Sequence, residues 1–245
     1  MNRRRAVGAV DPDVARLWMM LALTFSTGIA DAVGYLALDR VFTGNMTGNV
    51  VILGMAMTGS SDLPILGPGV ALAGFMAGAA VAGRVLRRPG DVWGSRVSAL
   101  IASVGGMFGV AALYLAVSPT PGEVARQVVT AVLAGAMGVQ AAAARRAAVR
   151  EVTTVVVTST VTGLASDSWI AGRTGQPWAR RLAAVLLIFA GACAGAALVR
   201  LAPWYGVLAS ALIALTVAGA GHRLARPATT PPRVHDRIKE SSPVG

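Results

Sequence analysis

Long apolar runs recur along almost the entire chain and restrict it to a membrane fold. Hydrophobic residues make up 55% of the 245 residues, and the mean hydropathy is +0.63, which is too apolar for an ordinary soluble domain. A helix needs about 20 residues to cross a bilayer and to satisfy its backbone there, so the sequence predicts an all-α membrane protein with about six transmembrane helices. We expect the spans at residues 17–38, 65–86, 97–117, 124–144, 182–201 and 206–221.

The formal net charge of +11 does not indicate nucleic acid binding, because of where the charges lie. They cluster in the short connections between apolar runs and in both tails, which is the distribution expected for cytoplasmic loops. The sequence has no basic face with interleaved aromatic residues, so we expect no nucleic acid partner. The lipid bilayer is the partner that the composition predicts.

Two polar segments, residues 43–58 and 152–165, interrupt the series of apolar runs. At about 15 residues each, they are too short to cross a hydrocarbon core of about 30 Å. If both crossed fully, the arginine-rich loop at residues 84–96 would lie outside, against the positive-inside rule. If both enter and return, the arginine clusters at 84–96, 145–150 and 173–181 all lie in the cytoplasm. The sequence therefore predicts two short re-entrant or broken helices and cytoplasmic N- and C-termini.

The same order of elements occurs twice: a span, a short polar segment and two further spans. Residues 17–117 form the first membrane repeat and residues 124–221 the second. We expect a cytoplasmic segment at residues 1–16 before them and a disordered cytoplasmic tail at residues 222–245 after them. With three crossings in each copy, the second copy enters from the opposite side, as in the inverted-topology repeats of many secondary transporters. Chance similarity between apolar sequences of low complexity is the alternative.

The two copies can be aligned over two short stretches. Residues 28–32, Gly-Ile-Ala-Asp-Ala, correspond to residues 138–142, Gly-Val-Gln-Ala-Ala. Residues 41–49 correspond to residues 152–160, with a slip of one residue. The second copy has an alanine where the first has Asp31, so we expect the two halves to differ in charge.

The motifs in these stretches resemble the YoaK family, a family of bacterial membrane proteins of unknown function. The resemblance rests on Gly-x-x-Asp-Ala from Gly28, on Phe-x-x-Asn-Met-Thr-Gly-Asn from Phe42 and on Met-Gly-x-Gln from Met137. It covers roughly residues 17–221, and Asn-Met-Thr-Gly-Asn is its most specific part. The sequence departs from the expected pattern at Ala141 and Ser159. The resemblance implies an integral protein of the bacterial plasma membrane and supplies no substrate.

Asp31 is the first candidate for a functional residue. A carboxylate near the middle of a span costs at least about 2.5 kcal/mol to insert, so we expect the side chain to face a polar interior or to be protonated. One interpretation is a proton or cation site, since ionisable groups inside membranes are functional by default. The alternative is a structural hydrogen bond to a threonine or an amide on another span.

The polar residues of the first short segment form the second candidate. If a helix starts near Asn45 or Thr47, these side chains can cap its free N–H groups. Such a start at membrane depth offers backbone donors and the positive end of the helix dipole, which suit an anion or a carbonyl group. The alternative is that the hydroxyls and amides only satisfy an interrupted backbone. The candidate binding residues here are Thr43, Asn45, Thr47, Gly48 and Asn49.

The second half supplies a weaker set of candidates. Thr154 and Thr158 are its candidate binding residues, although threonines often bond to their own helix. Gln140 lies in the apolar run at 124–144, where a packing hydrogen bond explains it as well as a substrate contact does.

Nothing in the sequence indicates an enzyme, a cofactor or a metal site. It contains no nucleophile elbow and no HExxH, Walker or Rossmann motif. The single cysteine, Cys193, lies in an apolar run, and the two histidines lie in the C-terminal region without metal-ligand spacing. We therefore expect a protein without enzymatic activity.

Two hypotheses for the function remain. The first is a small secondary transporter or channel-like permease, with Asp31 and the short segments lining a central site for an unidentified small solute or ion. The second is a non-transporting membrane scaffold or assembly protein, in which the interrupted segments serve packing alone. A unit of six spans is small for an alternating-access carrier, which leaves a homodimer open.

Overall fold

The structure, a computed structural model, describes residues 11–59, 63–87, 92–147, 157–166 and 178–225. Within these ranges it consists of eight α-helices and contains no strand. The helices are α1 (Pro12–Ala37), α2 (Met46–Met57), α3 (Leu66–Leu86), α4 (Ser95–Val117), α5 (Glu123–Ala147), α6 (Val157–Ser166), α7 (Trp178–Leu201) and α8 (Pro203–Ala225).

Six of these helices are long and apolar enough to cross a membrane, namely α1, α3, α4, α5, α7 and α8. The other two are short, with 12 residues in α2 and 10 in α6. At a rise of 1.5 Å per residue they measure about 18 and about 15 Å, well below the hydrocarbon thickness of about 30 Å. For the described residues, the prediction of an all-α membrane protein with six spans and two short helices is confirmed.

The helix ends follow local sequence signals. α1 begins at Pro12, ahead of the apolar run, because Asp11 accepts a hydrogen bond from the Asp13 N–H at 2.9 Å and proline fits a first helical turn. α1 therefore includes the last residues of the predicted cytoplasmic segment. α7 ends at Leu201 and α8 begins at Pro203, since proline cannot continue a helix but can start one.

Glycines let the long helices cross at close range in two pairs, α1 with α7 and α3 with α5. A Cβ atom on Gly28 in α1 would overlap the carbonyl oxygen of Ile188 in α7. A Cβ atom on Gly138 in α5 would overlap the carbonyl oxygen of Phe75 in α3. Backbones approach this closely in membranes only where small residues lie at the crossing.

The centre of the bundle is formed by α1 and α5. α4 packs along α8, while α1 also contacts α8 and α5 contacts α4. One side-chain hydrogen bond joins the two central helices, because Gln140 Nε2 donates to Thr27 Oγ1 at 3.0 Å. α3 and α7 bury only a small share of their residues, as expected of helices that face lipid.

The chain reverses after α1 and returns alongside it. Asp39 and Arg40 have positive φ angles of 66° and 53°, a left-handed conformation that residues other than glycine seldom adopt. Gly44 then lies beside Asp31, and its N–H donates to Asp31 Oδ1 at 2.6 Å. Asp31 lies about 9 Å before the last residue of α1, so α2 begins at depth within the bundle.

Candidate functional site: a central cavity

Asp31 anchors the connection between α1 and α2. Its Oδ1 atom accepts hydrogen bonds from the Gly44 N–H at 2.6 Å and from the Thr43 hydroxyl at 3.2 Å. Position 44 has little room for a side chain, since a Cβ atom there would lie 3.0 Å from Met137 Cε and 3.2 Å from Thr27 Cγ2. The structural hydrogen bond to a threonine is therefore present, but it comes from the connection and not from another span.

Asn45 caps α2 in the way that the sequence predicts. Its Oδ1 atom accepts a hydrogen bond from the Gly48 N–H at 3.2 Å, and the helix begins at Met46. The cap satisfies one of the N–H groups that have no partner at a helix start. Residues 45–48 line a cavity, so the positive end of the α2 dipole is directed at it.

Asn49 holds Phe42 in place and does not face the cavity. Its fully buried side chain accepts from the Phe42 N–H at 2.8 Å and donates to the Phe42 carbonyl oxygen at 2.7 Å. Two bonds of opposite direction fix the backbone of Phe42, and the Phe42 ring stacks on Tyr35 with 5.1 Å between centroids. In this structure Asn49 is a positioning residue, which differs from the predicted binding role.

The cavity, called here the central cavity, has a volume of about 870 Å³. One wall is a stripe of α1 residues at successive turns, Thr27, Asp31 and Tyr35. α2 and the connection before it form a second wall, and α3, α6 and α7 contribute one residue each. The remaining lining residues are Phe42, Gly44, Asn45, Met46, Thr47, Gly48, Val51, Ile52, Phe75, Thr158 and Ile188.

The wall of the central cavity combines polar and apolar side chains. Asp31 is the only charged side chain among the described residues that line it, beside three threonines and Asn45. Half of the lining residues are aliphatic or aromatic and most of the exposed lining surface is apolar, and an apolar surface with placed polar groups is typical of small-molecule sites. In the part of the chain that the structure describes, no three His, Cys, Asp or Glu side chains come together to hold a metal ion.

A second cavity, of about 520 Å³, lies between α3 and α5. Phe75 lines both this cavity and the central one. The lining of the second cavity includes Ala141 and two arginines of the last turn of α5, Arg145 and Arg146. The two cavities therefore differ in the sign of their charged side chains.

The structure brings together five of the predicted binding residues. Thr43 and Gln140 are buried away from the central cavity, as Asn49 is, and support residues that line it. Gln140 Oε1 is buried without a hydrogen-bond partner among the described residues. Thr154 lies outside the described residues. The five that line the cavity are Asp31, Asn45, Thr47, Gly48 and Thr158.

Sequence reasoning missed several residues of the wall. Thr27 and Tyr35 lie one helical turn before and after Asp31, so the periodicity of α1 could have found them. Phe42 lies within the motif of the first short segment, but an apolar ring there is not distinguished from a packing residue by the sequence. Phe75 comes from a helix distant in sequence, and no local pattern separates it from the lipid-facing residues of α3.

Comparison with known proteins gives a family. A family model described as "Protein of unknown function (DUF1275)" matches residues 19–220. The chain is 30% identical over 159 residues to the UPF0700 transmembrane protein YoaK of Bacillus subtilis (strain 168), covering 63% of this chain and 67% of that protein. No solved structure matches the chain. The resemblance to the YoaK family is thus confirmed, and the chain belongs to the DUF1275 family, whose function is unknown.

Proposed function

We propose that the protein is a small secondary transporter or channel-like permease, which moves a small solute or ion through the central cavity. The observation that carries the proposal is that both halves of the chain contribute to this cavity. Thr47 in α2 and Thr158 in α6 both line it, and each is the second residue of its short helix. Paired short helices whose amino ends meet at one site are characteristic of transporters with inverted repeats.

The close helix crossings support an inverted repeat. Gly28 and Gly138 correspond in the sequence alignment, and they make corresponding contacts. Gly28 lies against the carbonyl oxygen of Ile188 in α7, and Gly138 lies against that of Phe75 in α3. Each half thus uses its first helix to cross the third helix of the other half.

A second contact in each crossing supports the same relation. Gly191 in α7 lies against the carbonyl oxygen of Phe25 in α1, and Gly78 in α3 lies against that of Gly135 in α5. In both crossings this contact is three positions from the first one on either helix. The two crossings therefore match in register as well as in the helices that they join.

The contacts between whole helices follow a two-fold pattern. α1 packs on α7 and α8, and its counterpart α5 packs on α3 and α4. α4 packs on its own counterpart α8, and each short helix packs on the long helix that follows it. Exchanging the first four helices with the last four converts each of these pairs into another of them, and converts α4–α8 into itself. With three long helices in each half, halves related in this way run through the membrane in opposite directions.

The proposal includes a topology. We place both termini in the cytoplasm of a bacterial cell, the protein in its plasma membrane, and α2 and α6 as re-entrant helices. If α2 returns to the side that it enters from, Arg84 in α3, Arg96 in α4 and Arg145 in α5 fall on the same side as Arg16 at the start of α1. The positive-inside rule makes that side cytoplasmic.

One observation favours the second candidate function, a membrane scaffold. Asp31, Thr43 and Asn49 all form hydrogen bonds that hold the α1–α2 connection, and a broken helix that serves packing alone needs such bonds. Packing does not require a cavity lined by both halves, however. Transport is therefore the function that the geometry supports best.

Uptake into proteoliposomes tests the proposal. The purified protein is reconstituted and screened with labelled cations, anions, zwitterions and neutral solutes. We expect at least one solute to enter faster than it enters protein-free vesicles. Asp31→Asn keeps an oxygen that can accept from Gly44 but removes the charge, so we expect it to slow that uptake about tenfold or more. Uptake at the protein-free rate for every charge class would contradict the proposal.

Asp39→Asn is the matched control. Asp39 is a partly buried carboxylate near the end of α1 that contacts Gln127 Nε2 at 3.4 Å and does not line the central cavity. We expect this variant to transport at the wild-type rate and to unfold at the same temperature as Asp31→Asn. If both variants lose uptake equally, the cavity has no special role.

A further inference from the structure

We propose that the central cavity binds a monovalent organic cation, an alkylammonium or protonated amine. Its positive charge would lie at Asp31 and its apolar body against three rings, those of Tyr35, Phe42 and Phe75, which we call the aromatic wall. This inference rests on the proposed function, because it takes the cavity as the transport site. It names the chemical class of solute that the described wall would select.

The charge of the cavity is the first observation in favour of a cation. Asp31 is the only charged side chain among the described lining residues, and it is only partly buried. The hydrogen bonds from Gly44 and Thr43, both to Oδ1, come from neutral donors, and among the described residues no cationic side chain lines the cavity beside the carboxylate. An unpaired charge inside a membrane protein is costly, and a bound cation would compensate it.

The aromatic wall carries the second step. Tyr35 lies one turn after Asp31 on the same face of α1, and its ring stacks on Phe42 at 5.1 Å. Phe75 adds a third ring to the lining. Aromatic faces attract cations within about 6 Å, and cages of such rings are a known means of binding quaternary ammonium groups.

One ring of the aromatic wall, that of Phe42, is fixed by its neighbours. Asn49 fixes the Phe42 backbone in both directions, and a Cβ atom on Gly48 would lie only 2.7 Å from the Phe42 ring, so the ring packs directly on α2. A ring held in this way loses little freedom when a ligand binds, which favours affinity.

The size and composition of the cavity carry the third step. A volume of about 870 Å³ lies in the range of cavities that bind small organic molecules. A bare metal cation prefers a small shell of oxygen ligands, whereas most of this wall is carbon. The cavity therefore fits a cation that brings its own apolar surface.

Binding of matched probes to the full-length protein in lipid nanodiscs tests the inference. The probes are choline, benzyltrimethylammonium, an uncharged choline isostere with a tert-butyl group in place of trimethylammonium, and tert-butylacetate as the anion. Calorimetry should show binding of at least one cation and about tenfold weaker or no binding of the isostere and the anion. Equal or tighter binding of the uncharged isostere or the anion would overturn the inference, and so would the absence of binding by both cations.

Variants assign the binding to the wall. We expect Asp31→Asn to weaken binding of the cation about tenfold or more, and Phe42→Leu to weaken it about threefold to tenfold. Phe189→Leu, which changes an exposed ring of α7 outside the cavity, should bind as the wild type does. Cation binding that survives both cavity variants would overturn the inference. If Asp31→Asn does not fold, Phe42→Leu and the isostere comparison in the wild type still decide.

The outcomes separate this inference from the proposed function. If vesicles take up an anion or a neutral solute in a way that depends on Asp31, the transport proposal stands and the cation inference falls. If a cation binds through Asp31 and Phe42 but no labelled cation enters vesicles, the cation site stands and transport falls.

Discussion

The two cavities that meet at Phe75 are lined by corresponding faces of α1 and α5, yet they differ in charge. The central cavity has Asp31 and, one turn later, Tyr35. The second cavity has Ala141 and, one turn later, Arg145. The helix crossings repeat between the halves while the charged side chains do not. We infer that the backbone arrangement forms these two cavities and that a few side chains determine the charge of the solute that each attracts.

The polar residue of the second half lies one position before the counterpart of Asp31, so its side chain does not line the second cavity. Gln140 directly precedes Ala141, the counterpart of Asp31. One position on an α-helix is a rotation of about 100°, so Gln140 turns away from the second cavity and donates to Thr27. The polar residue of the first half faces a cavity, and that of the second half joins the two central helices.

The largest loss of stability is expected from disrupting the close glycine crossings that occur in both halves. Gly28→Val and Gly138→Val each place a branched side chain against a backbone carbonyl oxygen of the crossing helix. Because backbone cannot move aside as a side chain can, we expect each variant to lose about 3 kcal/mol or more of stability. Thermal unfolding in detergent and size-exclusion profiles measure this.

Glycines that face open space are the controls for this comparison. A Cβ atom on Gly83 in α3 or Gly106 in α4 would meet nothing within 4 Å, so Gly83→Val and Gly106→Val should unfold near the wild-type temperature. A large loss for Gly28→Val together with none for Gly138→Val would break the proposed equivalence of the halves.

A smaller effect is expected where the halves differ. Asn49 and Thr160 correspond in the alignment, and both are buried. Asn49→Ala leaves the N–H and the carbonyl of Phe42 without their partner, which costs about 3 kcal/mol, whereas Thr160→Ala removes one hydroxyl at about 1 kcal/mol. Chemical denaturation of both variants measures the difference. Equal losses would show that the two hydrogen bonds between Asn49 and the Phe42 backbone add no more stability than one buried hydroxyl does.

At Phe75, which lines both cavities, the expected effect is on the permeability of the protein. Phe75→Ala removes the ring that lines both cavities, so we expect passive leakage of small solutes to rise several-fold, as when a hydrophobic constriction is widened. Phe189→Ala, an exposed ring on α7, is the control and should not leak. Unchanged leakage in a folded Phe75→Ala protein would show that the ring does not separate the cavities.

The sequence was sufficient to predict the spans and the start of α2. Lipid offers no hydrogen-bond partners, so the backbone N–H and C=O groups of a span must bond to each other, and long apolar runs therefore predict helices directly. Asn45 and Thr47 are both candidates for the start of α2, because a side-chain oxygen of either residue can accept from a free N–H of the first helical turn; the structure has the cap at Asn45. Those two signals are local, which is why they could be read from a single chain.

The direction in which polar side chains point could not be predicted. Thr43 and Asn49 were expected to bind a ligand, but both turn inward to hold the α1–α2 connection. The turn of that connection depends on the left-handed backbone of Asp39 and Arg40. Aspartate is enriched in that conformation but arginine is not, so residue preference does not predict two such residues in succession. Phe75 joins the site only through the crossing of α3 with α5, a tertiary contact between the halves.

Chemical modification at Thr158 tests most directly whether solute passes through the central cavity that both halves line. Thr158→Cys is made in a Cys193→Ala background, since Cys193 is exposed, and the protein reacts with a bulky methanethiosulfonate reagent before uptake is measured. Val124→Cys, on a side chain at the start of α5 that is 80% exposed and does not line the central cavity, is the control, because the reagent needs a thiolate that is in contact with water. We expect modification at position 158 to block uptake and modification at position 124 to leave it unchanged. Full uptake after complete modification at position 158 would contradict a shared transport cavity.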